Sequence, residues 1–226
     1  ANNNNVKYNI GYNKRYDEGV QKGKELLDNL LKTKELGNII YIRVHRYSGT
    51  GYCNPVGDIK TDEPYPESEE WASGPEWLPD SMKLRYHSYL NTFCHNINLI
   101  RYFIGITPNI EYVDLSENKG QLVVMDCGDF NCLLETKNYS DDYWDEVMEI
   151  YFEDGCLAIK TPPQQLVNVS AQIELRTRSS PLYSNKQIPG WSWSFFRQAE
   201  AFISDIKNKK ESLSSDELRS VVHEAG

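Results

Sequence analysis

Five side chains on one stretch have the types and the spacing to do chemistry. In His87 to Gly105, HSYLNTFCHNINLIRYFIG, a helix at 100° per residue brings His87, Asn91, His95, Asn98 and Tyr102 within an arc of roughly 80°. Leu90, Phe93, Ile97, Ile100 and Ile104 fill a similar arc on the far side. A solvated helix face usually carries Lys and Glu, whereas this one offers short amides, imidazoles and a phenol. Such groups suit a pocket: amides orient a hydroxylated ligand, and an imidazole that titrates near neutrality can move its proton. The same pattern also describes a histidine satisfied inside a structural helix. Eight residues separate His87 from His95, about 12 Å along a helix, too far to share a zinc ion, and no metal site is expected.

The surrounding elements must position that face. Gly105 stands where a left-handed cap would end the helix, and Pro108 cannot continue it. Asp17 can cap a helix running to about Leu36, with Val20, Leu27, Leu30 and Leu31 on its apolar side and Gly37 as its stop. Val6 to Tyr12 alternates like a strand, and Ile39 to Tyr47 is a strand by its β-branched content. In the latter, Ile40, Ile42 and Val44 share one face, Tyr41, Arg43 and His45 the other. His45, Arg46 and Tyr47 either face a ligand at the strand end or pack across strands. Further strands are predicted at 109–115, 121–127, 131–136, 145–152, 156–160 and 172–178, joined by turn signals such as Glu153-Asp154-Gly155. A helix is expected from Trp191 to Asn208, and a short one after Ser214. Closely spaced strands with hairpin-length links predict an α+β fold: a large, mostly antiparallel open sheet with helices packed on one face.

Composition removes several function classes. The 226 residues carry 33 acidic and 24 basic side chains, a net charge of −9, which argues against nucleic acid or an anionic membrane surface as partner. No apolar run approaches the roughly 20 residues of a membrane span, and the chain reads as soluble and cytoplasmic. Five widely spaced cysteines without a C-x-x-C pair read as reduced, mostly buried thiols. Residues 1–5, ANNNN, read as a disordered leader or tag scar. From Ser48 to Asp80 the pattern dissolves into Gly, Pro, Ser and acids, a loop long enough to suggest function or disorder. Trp71 and Trp77 are costly to leave in water and are expected to pin it.

Several active-site signatures are missing: there is no G-x-G-x-x-G between strand and helix, no P-loop, no H-E-x-x-H and no G-x-S-x-G. What is present resembles one family. H-N-I-N-L-I-R-Y-F-I-G, at 95–105, looks like the H-x-I-D-L-x-R-Y-x-x-G segment of the glucose-fructose oxidoreductase/inositol dehydrogenase (Gfo/Idh/MocA) family. G-Y-N-K-R-Y-D at 11–17 is similar to that family's step from cofactor domain to second domain, and W-D-E-V-M-E-I-Y-F-E-D-G-C-L-A-I-K-T-P to its hairpin, departing at Phe152 where glycine is usual. The resemblance covers only the family's second, C-terminal half, a dihydrodipicolinate-reductase-like domain, and implies that 6–16 are the remnant strand and crossover from a cofactor domain, that 17–226 are the substrate-binding/oligomerisation α+β domain, and that the N-terminal Rossmann domain is absent from these 226 residues.

The resemblance implies a substrate-binding and oligomerisation domain of an oxidoreductase acting on a sugar, nucleotide-sugar or cyclitol. NAD or NADP would be bound only through the missing domain, and no cofactor-binding residue is expected in this chain. It implies His95 as the catalytic acid/base, with Asn91 orienting substrate or histidine. Arg15, His87, Asn98 and Trp77 would contact substrate, Trp77 by stacking on a sugar ring if it does not pack on the core. Asn91 and Asn98 stand where the family usually has aspartate, which removes an electrostatic support for imidazolium. The broad open sheet implies a homo-oligomer. The alternative is a free-standing, non-catalytic binding or assembly module of the same fold.

Overall fold

The computed structural model describes residues 7–49, 62–64, 74–116, 119–138, 143–178, 183–185 and 193–208. A single 3-10 turn, Asn13–Tyr16, leads into helix α1, Glu18–Thr33. Asp17 caps that helix: its carboxylate accepts from the Val20 N–H at 3.0 Å and from the Ala171 N–H at 2.9 Å. Lys34, left-handed at φ 55°, ends it.

Among the described residues there are eight strands: β1 (Ile39–Ser48), β2 (Asn109–Asp114), β3 (Gln121–Asp126), β4 (Asn131–Asn138), β5 (Trp144–Phe152), β6 (Gly155–Lys160), β7 (Gln172–Thr177) and β8 (Tyr183–Asn185). They form one open sheet in the order β2-β3-β4-β1-β5-β6-β7-β8. Only β1 and β4 run parallel; every other neighbouring pair is antiparallel. The first strand in the chain therefore sits in the middle of the sheet. Helix α2 (Asp80–Ser88), a π-helical turn (Tyr89–Phe93) and helix α3 (Cys94–Ile104) lie between β1 and β2 in sequence, and α4 (Ser194–Lys207) comes last. Among the described residues, no helix is long and apolar enough to cross a membrane.

Side-chain alternation divides the sheet into a core face and an open face. Ile42, Leu134, Ile150 and Leu157 on the core face pack with Val20, Leu27 and Leu30 of α1 and Leu99, Ile100 and Phe103 of α3. The expected α+β architecture, with helices on one face of a mostly antiparallel sheet, is what forms.

Three expectations are corrected. Lys7 to Tyr12 pairs with no strand; Lys7 Nζ donates to the Asp205 carbonyl at 2.8 Å and Asn13 Nδ2 to Ser194 Oγ at 3.4 Å, so this segment runs antiparallel along α4. Its Val6 lies outside the described residues, as do Trp71, Trp191 and the helix expected after Ser214. Ile40 does not share the core face: the β1·β5 register shifts between Ile39 and Tyr41, and the bulged Ile40 is 54% exposed. The helix expected from His87 begins at Asp80 and passes through the π turn, which adds a residue to one turn and rotates the segment before it against α3.

Gly19 is where α1 meets the β7 edge: a Cβ there would lie 2.0 Å from the Ala171 carbonyl oxygen, against backbone that cannot step aside. Gly19→Ala should lose about 1–3 kcal/mol in urea unfolding, the usual cost of overpacking. Gly11→Ala, where nothing lies within 4 Å, should change it little.

Candidate active site

The polar end of the core is built where the 3-10 turn meets α3. Arg46 of β1 and Glu146 of β5 are register partners on the core face, in line with Val44 and Met148. Their parity puts two charges where apolar side chains are expected. Lys14, 3% exposed, forms an ion pair with Glu146 Oε1, which also accepts from Asn96 Nδ2 at 3.1 Å. Arg46 Nε lies 3.6 Å from Glu146 Oε2, and its guanidinium covers the rings of Trp144 and Phe93 at 4.9 and 5.4 Å. Two cations thus share one buried carboxylate, and burial pulls the Lys14 ammonium below its ordinary value while Glu146 opposes the shift.

His95 sits against this cluster. Its ring meets Tyr12 edge-on with centroids 6.0 Å apart, and its Nδ1 is buried without a hydrogen-bond partner. Burial, then the Lys14 charge, bring its pKa down to about 4; Glu146 opposes and Arg46 adds to the fall. The imidazole is therefore neutral at neutral pH and able to accept a proton. One turn on, Asn98 Oδ1 accepts from Arg15 Nε at 2.6 Å, and the Arg15 guanidinium covers Tyr102 at 5.1 Å. Burial pushes the neighbouring Cys94 up to about 11, so it is present as a thiol.

Of the sequence-predicted site residues, the fold brings together Arg15, His95 and Asn98. His87 and Asn91 are exposed, on the far side of or within the π turn, and Trp77 is 65% exposed. His45 lies on the opposite, open face, its Nε2 3.1 Å from Asp145 Oδ1 and its ring stacked on Tyr47. Sequence reading missed Lys14, Asn96 and Glu146. The signal available was period-two alternation: Arg46 continues Ile42 and Val44, and Glu146 leads into Met148 and Ile150.

The described residues contain no glycine-rich turn between a parallel strand and a helix. Neither a protein-family model nor a curated protein sequence matches the chain. Solved structures do. A dehydrogenase from Chromobacterium violaceum superposes with a TM-score of 0.57 at 15% identity, over 92% of this chain and 56% of its own. A dehydrogenase from Clostridium difficile gives 0.57 at 14%, over 91% and 55%. An oxidoreductase from Agrobacterium radiobacter, in complex with NAD+, L-tartaric acid and magnesium, gives 0.52 at 11%, over 94% and 58%. The fold is that of the Gfo/Idh/MocA C-terminal domain. This chain spans little more than half the length of these structures.

Two outcomes test this electrostatic arrangement. The His95 ring should titrate by NMR with a midpoint near 4, and lower still in Glu146→Gln. Because the folded pKa lies below the unfolded value of about 6.5, the unfolded chain binds more protons between the two. Stability should fall as pH drops through that window, and His95→Phe should flatten the fall. Separately, Glu146→Leu strands two buried cations and should cost about 3–5 kcal/mol, whereas Lys14→Met leaves Arg46 to balance Glu146 and should cost clearly less by chemical denaturation.

Proposed function

We propose that the chain is the substrate-binding and oligomerisation domain of an NAD(P)-dependent oxidoreductase that acts on a hydroxyl or carbonyl of a sugar, nucleotide-sugar or cyclitol. The observation that carries this reading is the setting of His95. It is a neutral imidazole with an unpartnered Nδ1, in the segment whose sequence resembles the one that carries the family's acid/base. The fold shared with dehydrogenases supports the reaction class, and the NAD+ of the Agrobacterium radiobacter structure the type of cofactor.

A nicotinamide held by a second domain would supply the hydride acceptor. This chain's own residues do the rest. His95 accepts the hydroxyl proton as the carbonyl forms, and returns it in the reverse direction. Lys14 and Arg46 set a positive potential at the imidazole, favouring negative charge on the reacting oxygen over a resting imidazolium. Arg15, held by Asn98 and Tyr102, is the guanidinium assigned to substrate hydroxyls. Asn91 is a substrate-facing residue only once a second domain closes over α3; in this chain it is exposed, as are His87 and Trp77. A cytoplasmic setting suits the free thiols of Cys94, Cys127, Cys132 and Cys156. Self-association through the open face is favoured by its mixed ladder, where Arg43 lies 2.5 Å from Glu135 and 3.5 Å from Glu149 beside Tyr41 and Tyr151.

In the two-domain protein, His95→Asn should lower kcat about 10²–10⁴-fold with a much smaller change in KM. Calorimetry should detect no NAD(H) or NADP(H) binding to the 226-residue chain alone. Tight binding there overturns the division of labour proposed.

A further inference from the structure

The open face of the sheet holds its charges in balance. On the neighbouring strands β4, β1, β5, β6 and β7, alternation turns four cations and four carboxylates to this face, in a chain whose net charge is −9. A second copy therefore meets the face without the repulsion that the net charge alone would set up.

Three of the four carboxylates have their cations beside them. Glu174 lies 2.7 Å from Lys160 and 3.5 Å from Arg176, and Arg43 sits between Glu135 and Glu149 at 2.5 and 3.5 Å. The fourth cation, Lys137, donates to the Lys119 carbonyl at 3.2 Å. Asp145 is the exception. Among the described residues its one ionic partner is His45, whose Nε2 lies 3.1 Å from its Oδ1.

His45 is 9% exposed, and neither of its ring nitrogens has a hydrogen-bond partner. The ladder sets its surroundings: Glu135 stands opposite on β4 and Val147 opposite on β5, with Asp145 two residues along. On its own strand Arg43 and Tyr47 flank it, Tyr47 as a stacked ring, and Lys160 of β6 lies beyond Val147. The side chain of Asp145 is 36% exposed, so in the separate chain water solvates this carboxylate. A second copy laid over the face removes that water, and a carboxylate deprived of water requires an opposite charge. Arg43 already serves two acids. The group in place to supply the charge is the imidazole, and it does so only when protonated.

We propose that self-association through the open face is proton-linked at His45, each protomer taking up a proton on this imidazole as the face is covered. The inference rests on the self-association proposed above and adds its regulation. Because the assembled form holds more protons than the separate chains, association strengthens as pH falls.

Sedimentation equilibrium of the 226-residue chain tests it, at salt high enough to screen long-range repulsion. From about pH 8 to about pH 6, where an unperturbed imidazole gains its charge, the Kd should tighten about tenfold or more. His45→Gln should hold the Kd constant over that range. Asp145→Asn, which needs no opposite charge, should associate at the upper end about as tightly as the wild type does at the lower. Heats of dilution in two buffers of different ionisation enthalpy should report proton release on dissociation of the wild type, a reading that depends on neither variant folding. A chain that stays monomeric throughout overturns the self-association together with this inference. Association with a pH-independent Kd, dissociation without proton release, or a pH dependence that survives in folded His45→Gln overturns this inference alone.

Discussion

Everything at the polar end of this domain depends on one ion pair, Lys14 with Glu146. It joins a turn near the start of the described chain to a central strand, and both partners are nearly excluded from water. Burying two ions costs several kcal/mol each, and only good geometry with further hydrogen bonds offsets that cost. Here Asn96 supplies a bond to the same oxygen, and Arg46, spread over Trp144 and Phe93, supplies a second cation. With Lys14 fixed, its neighbours on the turn follow: Tyr12 meets His95 and Arg15 meets Asn98. A pair of this kind contributes little net stability against an apolar substitute, but it allows the turn a single register.

The electrostatic result is an excess of one positive charge beside an imidazole. With Asn91 exposed and neutral, burial and the two cations decide, and His95 rests unprotonated. The imidazole is thus neutral at neutral pH, and the cations that keep it so also weaken it as a base.

The sheet supplies the rigidity this requires. Placing β1 between a parallel and an antiparallel neighbour puts Arg46 and Glu146 opposite one another at the end of a buried ladder whose next members are Val44 and Met148. The same pleat sends His45 and Arg43 to the open face, where they meet Asp145, Glu135 and Glu149. One strand serves the core cluster and the open surface by alternation alone.

The sequence by itself determined strands β1 to β7, helices α1 and α4 and the layer arrangement, though not β8 or the start of the helix at Asp80. Those depend on local periodicity and turn chemistry, and Asp17, Gly105 and the β-branched run at 39–47 are legible without a partner. It also pointed to His95, Asn98 and Arg15, through helical spacing and family resemblance. Only the tertiary structure decided which of the polar stripe's members share a site. The π turn from Tyr89 to Phe93 breaks the phase that the stripe assumed, leaving His87 and Asn91 outside. Such a turn has no composition signal, since YLNTF suits an ordinary helix as well. Lys14 and Glu146, 132 residues apart, also became partners only through packing. A lysine on a turn and a glutamate at a strand end read as surface charges until the sheet register and the helix layer close over them and remove the water.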